Sequence, residues 1–578
     1  MATSSEKNQS FSMNPRIERD RELIVSARQR GRWPLLGVFV RLSGPGWLQS
    51  AITLGGGSLS SSLYLGVLVG FSFLWLQPIA MIAGIIMLSA ISYVTLSTDE
   101  RPLRAINRHI SPVLGWGWLL ASMIANLVWS MPQFALATAS FQQNLFPGVF
   151  GPDVMPDPWG KLVVCCIILA IALTAGMLYS IGGWGMKAFE IIVKCLVGTT
   201  VLCFISVVVK LMSTGELAAS GVFRGFVPNL KLLSEPVAEL AQHIRQVAPQ
   251  FQDFWSGLIV SQQRDVMISA AATAVGINMT FLFPYSMLRK GWDKDFRGLA
   301  IFDLSTGLFF PFILATSCVV IAAAAQFHAE PAPGFLGEVD ASGQAVRPAA
   351  NLVGGFNDLL SQRLAREIGP EEMARLTPGE KAARLAALPE ADRRMAAMLV
   401  TRDAFNLADS LAPLTGRTVA RYVFGLGVLG MGMGAATMLM LINGLCFCEM
   451  LNKPARGWRQ RVGMAMVSVG ILGPFFWTQA KMWIAIPTSV FAMTLLPLAY
   501  LSFFLLMNQK RLLGENMPKG GKRVLWNVLM AFSVILAGFG SLWSIWSKTR
   551  WYGVAAVALF TALVFVVHFV RKARESAA

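Results

Sequence analysis

The chain has 578 residues, 54% of them apolar and only 14% charged, about half the charged share of a soluble chain. Lys and Arg outnumber Asp and Glu by 49 to 32, a net charge of +17. Many runs of about 18 or more residues carry almost no charge, which describes a polytopic membrane protein and excludes a soluble enzyme, a disordered chain and a disulfide-stapled secreted domain.

In chain order, residues 1–40 form an Arg-rich segment with no signal-peptide core, read as a flexible cytoplasmic tail. About twelve spans follow, near 44–69, 72–97, 113–145, 161–181, 187–213, 262–289, 299–327, 416–450, 462–480, 482–507, 524–547 and 551–571. They group into a first five-span repeat (41–213), an outer loop (214–261) and a second repeat (262–327 and 416–507). An extracytoplasmic helical insert (328–415) interrupts the second repeat, and two extra spans with the C-terminus (508–578) end the chain. The insert contains Thr377-Pro378-Gly379-Glu380, a capping-box spacing with Pro at the first helical position. Basic residues collect in one set of loops, such as Arg101, Arg104 and Arg108, or Lys453, Arg456 and Arg459. That places both termini in the cytoplasm, with Lys548 and Arg550 as exceptions. The charge is thus a topology signal, and no nucleic-acid motif accompanies it.

Two spans carry breaks in corresponding positions. The first contains Gly55-Gly56-Gly57-Ser58, then Ser60, Ser61 and Ser62. Each glycine costs about 1 kcal/mol in a helix relative to alanine. The sixth contains Gly276-Ile277-Asn278-Met279-Thr280 and then Pro284. Close helix packing is the alternative reading of such small residues. Because each break opens a set of five spans, the pair matches two inverted repeats, and broken helices near the bilayer midplane line substrate sites. The expected substrate-binding residues are therefore Gly55, Gly56, Gly57, Ser58, Asn278, Met279 and Thr280, with Ser58, Asn278 and Met279 as candidate metal ligands.

The remaining polar residues in the spans have plainer readings. Gly425, Gly427, Gly430, Gly432 and Gly434 in the eighth span suit close packing. Glu190 and Asp303 are expected to pair with Lys187, Lys194 or Arg297. Asn126, Gln133, Gln142 and Gln143 in the third span should face a neighbour or a cavity. The seven cysteines lie in apolar spans and imply no disulfide framework, and the four histidines imply no metal site or cofactor.

Several segments together resemble the Nramp family of divalent metal transporters. They are Gly44-Pro45-Gly46-Trp47-Leu48, Gly70-Phe71 through Trp75, Lys187-Ala188-Phe189-Glu190, Ala300 through Thr306, Asp403 through Gly416, Leu496-Pro497-Leu498 and Leu513-Gly514-Glu515. The resemblance covers most of residues 40–515 outside the insert. It implies an all-α, leucine-transporter-type fold with two inverted repeats and alternating access.

The departures from the family pattern fall on the site. Where metal-carrying members have Asp-Pro-Gly-Asn, this chain has Gly55-Gly56-Gly57-Ser58; where they have Met-Pro-His, it has Asn278-Met279-Thr280. Met131 and Phe134 stand where acidic residues of the third span are expected. The expected cargo is then a small ion, a partly hydrated divalent cation with magnesium first, moved without family-like proton coupling across a bacterial inner membrane. The alternatives are a carrier of a neutral or anionic solute, and a transporter-derived sensor or binding scaffold. No nucleophile–base pair points to an enzyme.

Overall fold

The computed structural model describes residues 15–98, 100–181, 183–215, 217, 219–339, 342–416, 419–476 and 485–577. The tail residues 1–14 and the junction of the ninth and tenth expected spans (477–484) lie outside the described residues. The regular secondary structure of the described residues is helical apart from one isolated bridge between Val339 and Ala345 in the insert.

Prolines open many of the helices, because a helix's first N–H needs no partner and proline's φ is already helical. After α1 (Pro15–Arg30) and α2 (Arg32–Leu42), the first span is two pieces, α3 (Pro45–Thr53) and α4 (Gly56–Val69), bent by 56° at their junction. Next come α5 (Leu76–Thr98), α6 (Pro102–His109) and α7 (Pro112–Ala139). Among the described residues nine helices are long and apolar enough to cross a membrane, or ten if the bent pair counts as one span. One of the nine, Gly520–Arg571, contains both extra C-terminal spans, which meet at Arg550 in a non-helical conformation (φ 51°, ψ −135°).

The expected flexible tail is, over residues 15–42, a docked helical pair. Ile24 and Ala27 of α1 are buried, and Arg21 binds Asp293 at 2.5 Å and lies 3.8 Å from Asp295. The sixth span also differs from expectation, because its first helix is Pro249–Ala274 and starts thirteen residues before position 262. Gln252, Asp253, Gln262, Gln263, Arg264 and Asp265 dilute the hydropathy there, yet several of these polar groups are satisfied. Gln263 donates to the carbonyls of Leu232 and Glu235 and accepts from Val237 N–H, and Arg264 donates to Leu233 O. This extension is a post on which the outer segments pack.

The insert rests on that post. Arg363 and Asp392, both side chains 1% exposed, pair at 3.1 Å; Trp255 of the post donates to the same Asp392 oxygen at 2.7 Å. The Arg363 guanidinium lies over the Phe251 ring. Thr377 and Glu380 close their capping box, and the Thr377 backbone N–H and hydroxyl hold the Glu380 carboxyl below its usual range. Arg402 donates to the carbonyls of Glu330, Ala397 and Met398, and burial pushes it down to about 10.

Candidate functional site

The first break spans Leu54 (φ −80°, ψ 76°) and Gly55 (φ −132°, ψ −173°); the second spans Val275 (φ −140°, ψ 107°) and Gly276 (φ −79°, ψ 160°). Each interrupts the i→i−4 ladder and frees backbone groups. A cavity with room for roughly three waters (about 40 Å³ of water-accessible space) lies between them. Its wall includes Ile52, Thr53, Gly55, Gly57 and Ser58 from the first break. Ala272, Thr273, Gly276, Ile277, Asn278 and Met279 come from the second, with Trp129 and Gln133 from the third span and Ala435 from the eighth. Among the described residues, no side chain on this wall is a carboxylate or an imidazole. Among the described residues no cluster of three or more His, Cys, Asp or Glu could hold a metal ion.

Several of the freed N–H groups are spent inside the protein. Gly55 N–H donates to Ser58 Oγ at 3.1 Å and to Thr53 O at 3.0 Å, and Gly56 N–H donates to Gln133 Oε1 at 2.7 Å. Gly276 N–H donates to Met279 Sδ at 3.3 Å, and Met279 N–H to Asn278 Oδ1 at 2.9 Å. In an uninterrupted helix, Gly56 N–H would serve Ile52 O and Gly276 N–H would serve Ala272 O. Both donors are turned elsewhere, so these two carbonyls, on cavity-lining residues, lose their helical partners. What the breaks leave for a ligand is these oxygen acceptors beside the first-turn N–H groups of Gly57, Ser58, Ile277 and Asn278, whose i−4 acceptors lie across the breaks.

The glycine triplet has two distinct uses. A Cβ on Gly57 would come 2.1 Å from Trp129 Cζ3, and one on Gly55 would come 2.9 Å from both Ala435 Cβ and Gln133 Oε1. Neither contact is tolerable, so bare backbone is what lets the third and eighth spans close on the break. In the eighth span, Gly432 admits the backbone of the third, since its Cβ would lie 3.0 Å from Gln133 O.

Of the expected site residues, Gly55, Gly57, Ser58, Asn278 and Met279 come together on the cavity wall, whereas Gly56 and Thr280 do not. Gly56 contributes its N–H to Gln133 instead. Thr280 turns toward the third span, where its Oγ1 accepts from Trp118 Nε1 at 2.9 Å and donates to Ile277 O. Met279 is on the wall, but its sulfur already accepts from Gly276 N–H and lies 3.0 Å from Thr53 Oγ1, whose hydroxyl donates to Ala274 O. Asn278 donates through Nδ2 to Asn126 Oδ1 at 3.2 Å. Thr53, Trp129 and Thr273 also line the cavity without having been expected there. Gln133, expected to face a neighbour or a cavity, meets both, and its polarity inside an apolar span is the signal that marks it.

The buried acids outside the cavity stitch the helix ends. Asp303 accepts from the N–H groups of Gly44 (3.1 Å) and Gly46 (2.6 Å) and from the Ser43 hydroxyl, so it caps α3 instead of pairing with a cation. Glu190 pairs with Lys290 at 2.8 Å, not with Lys187, Lys194 or Arg297; Lys194 donates to Ser43 O.

The family model described as "Natural resistance-associated macrophage protein-like" (Nramp) matches residues 46–356 and 391–571. The "Metal transporter Nramp6.2" of Populus trichocarpa is 27% identical over 199 residues, which cover 33% of this chain and 32% of that protein's length. Among solved structures, a histidine-to-alanine mutant of the Eremococcus coleocola manganese transporter superposes with a TM-score of 0.58 at 13% identity, covering 92% of this chain and 93% of that one. The same transporter in complex with an aromatic bis-isothiourea substituted compound gives 0.57 at 13% identity, covering 93% and 94%. The likeness to these structures shows the fold, an all-helical membrane architecture of the leucine-transporter type. On the extent of the family match, the chain belongs to the Nramp family.

Proposed function

We propose that this protein is a secondary carrier that moves a small cation by alternating access, and that its cargo is a partly hydrated divalent ion, magnesium first. The observation that carries this reading is the disposition of the freed backbone at the two breaks. Half-helix N-termini attract anions when their N–H groups are open. Here the N–H groups of Gly55, Gly56, Gly276 and Met279 are bonded to Ser58, Gln133, Met279 and Asn278. The Ile52 and Ala272 carbonyls remain without helical partners on the cavity wall, which supports a cation as cargo.

Among the described residues the wall has no carboxylate to repay dehydration, and the Met279 thioether on it is engaged by Gly276 N–H. Magnesium gives up its water reluctantly and is commonly bound with several waters in place. A neutral, oxygen-lined cavity with room for roughly three waters suits such an ion better than a bare transition metal. The absence of carboxylate and imidazole from the lining supports transport without proton coupling. We read the protein as a carrier and not an enzyme, resident in a bacterial inner membrane.

Both termini are proposed to face the cytoplasm. Arg571 near the C-terminus donates to the carbonyls of Asn107 and Arg108, and α1 near the N-terminus binds Asp293. Those partners sit in the basic loops that the charge bias assigns to the inner face. Lys548, an exception to that bias, pairs with Asp265 at 2.5 Å.

The test is flux into proteoliposomes loaded with a pH-sensitive dye, with external magnesium or manganese. Magnesium uptake without acidification of the lumen is the expected result. No uptake of either ion, or uptake matched by proton entry, overturns the reading in its cargo or in its coupling respectively.

A further inference from the structure

Two helices precede the first span, and one of them has an uncovered face. On α2, Phe39, Leu35, Val38 and Leu42 point inward, with Phe39 against Phe302 at a centroid distance of 5.5 Å. The opposite side holds Trp33, Leu36 and Val40, exposed by 84%, 40% and 67%. At about 100° per residue these three fall within an arc of about 60°. Arg32 flanks the arc on one side and Arg41 on the other, and both are exposed. Arg28 and Arg30, also exposed, end α1 just before α2 begins.

An apolar stripe bordered by arginines is the pattern of a helix that lies in a bilayer interface, its stripe among acyl chains and its guanidinium groups among headgroups. The position agrees. Only Ser43 and Gly44 separate α2 from α3, the first half of the broken span, and α2 packs on the Arg297–Asp303 helix that opens the seventh span.

We propose that α2 and the end of α1 form a docking surface for anionic phospholipid. Charge complementarity selects the headgroup. Arg30, Arg32 and Arg41 present a local excess of positive charge beside apolar surface, and each arginine near an anionic leaflet strengthens binding by roughly fivefold. A neutral lipid satisfies the stripe but not the arginines, and a soluble anion satisfies the arginines but not the stripe. The surface therefore recognises an anionic headgroup and acyl chains together. Its occupant also bears on the broken span, because α1 is fastened to Asp293 and α2 runs directly into α3.

The experiment uses the full chain in nanodiscs of phosphatidylcholine, with and without phosphatidylglycerol. Brominated acyl chains should quench the share of tryptophan emission that W33F removes; if that share is unquenched, the helix stands off the bilayer and the proposal fails. In phosphatidylglycerol titrations read by native mass spectrometry, the R30Q/R32Q/R41Q variant should bind roughly fivefold more weakly per arginine removed. The R30K/R32K/R41K variant, which keeps the charge, should restore binding and guards against a loss caused by misfolding. Equal retention by the glutamine variant overturns the proposal. Displacement of the lipid by soluble glycerophosphate or heparin also overturns it, by pointing to a soluble anion.

Discussion

At the first break the N–H of Gly55 goes to the hydroxyl of Ser58, three residues on; at the second the N–H of Gly276 goes to the sulfur of Met279, also three residues on. The geometry is shared and the chemistry differs. The second break completes itself, since Asn278 supplies the acceptor for the next bonded N–H, that of Met279. The first break borrows its acceptor from Gln133 on the third span, and it needs two glycines so that Trp129 and Ala435 can approach. A break held by its neighbours depends on packing, whereas a break held by its own side chains depends on local hydrogen bonds. The first should therefore be the more sensitive to changes of size and the second the more tolerant.

Gly57→Ala is the strongest way to test this contrast. The added methyl collides with the Trp129 ring, and overpacking of this kind costs about 1–3 kcal/mol. A lower melting temperature in detergent and lost uptake are expected, with partial recovery in Gly57→Ala/Trp129→Leu; an unaffected single variant contradicts the packing account. Gln133→Leu comes next, because it strands the buried Gly56 N–H at a cost of about 1–3 kcal/mol. Gln133→Glu should keep the hydrogen bond while placing a charge on the cavity wall, raising manganese uptake relative to magnesium.

At the second break, Thr280→Val leaves the buried Trp118 Nε1 without its acceptor, at a cost of about 1–3 kcal/mol. Since Thr280 is off the cavity wall, the ratio of magnesium to manganese uptake should not move. Met279→Leu preserves volume and should cost under about 1.5 kcal/mol. A selective loss of manganese uptake in that variant would show that the sulfur faces the ion and would break the comparison.

Much of this was legible in the sequence for simple reasons. A glycine triplet inside an apolar span, and a Gly-Ile-Asn followed by proline in another, announce interrupted helices from composition alone. The Thr377–Glu380 box is equally local, and it closes as its spacing requires. The side chains that actually meet the cavity were less legible, because a helix turns about 100° per residue. Asn278, Met279 and Thr280 therefore cannot all face one point, and nothing local says that Thr280 is the one turned to Trp118. Partners distant in sequence were harder still. Gln133 reaches Gly56 across 77 positions, and Glu190 finds Lys290 in preference to nearer lysines. The polar start of the sixth span hid its true length, since hydropathy cannot register that Gln263 and Arg264 are satisfied by the outer loop.

The contact of Asp392 with Trp255 has a practical consequence. One carboxylate joins the insert's Arg363 to the helix that leads into the second break, so a load placed on the insert is carried to that helix. An antibody fragment that grips the helices between Ala350 and Leu399 thereby takes hold of the sixth span.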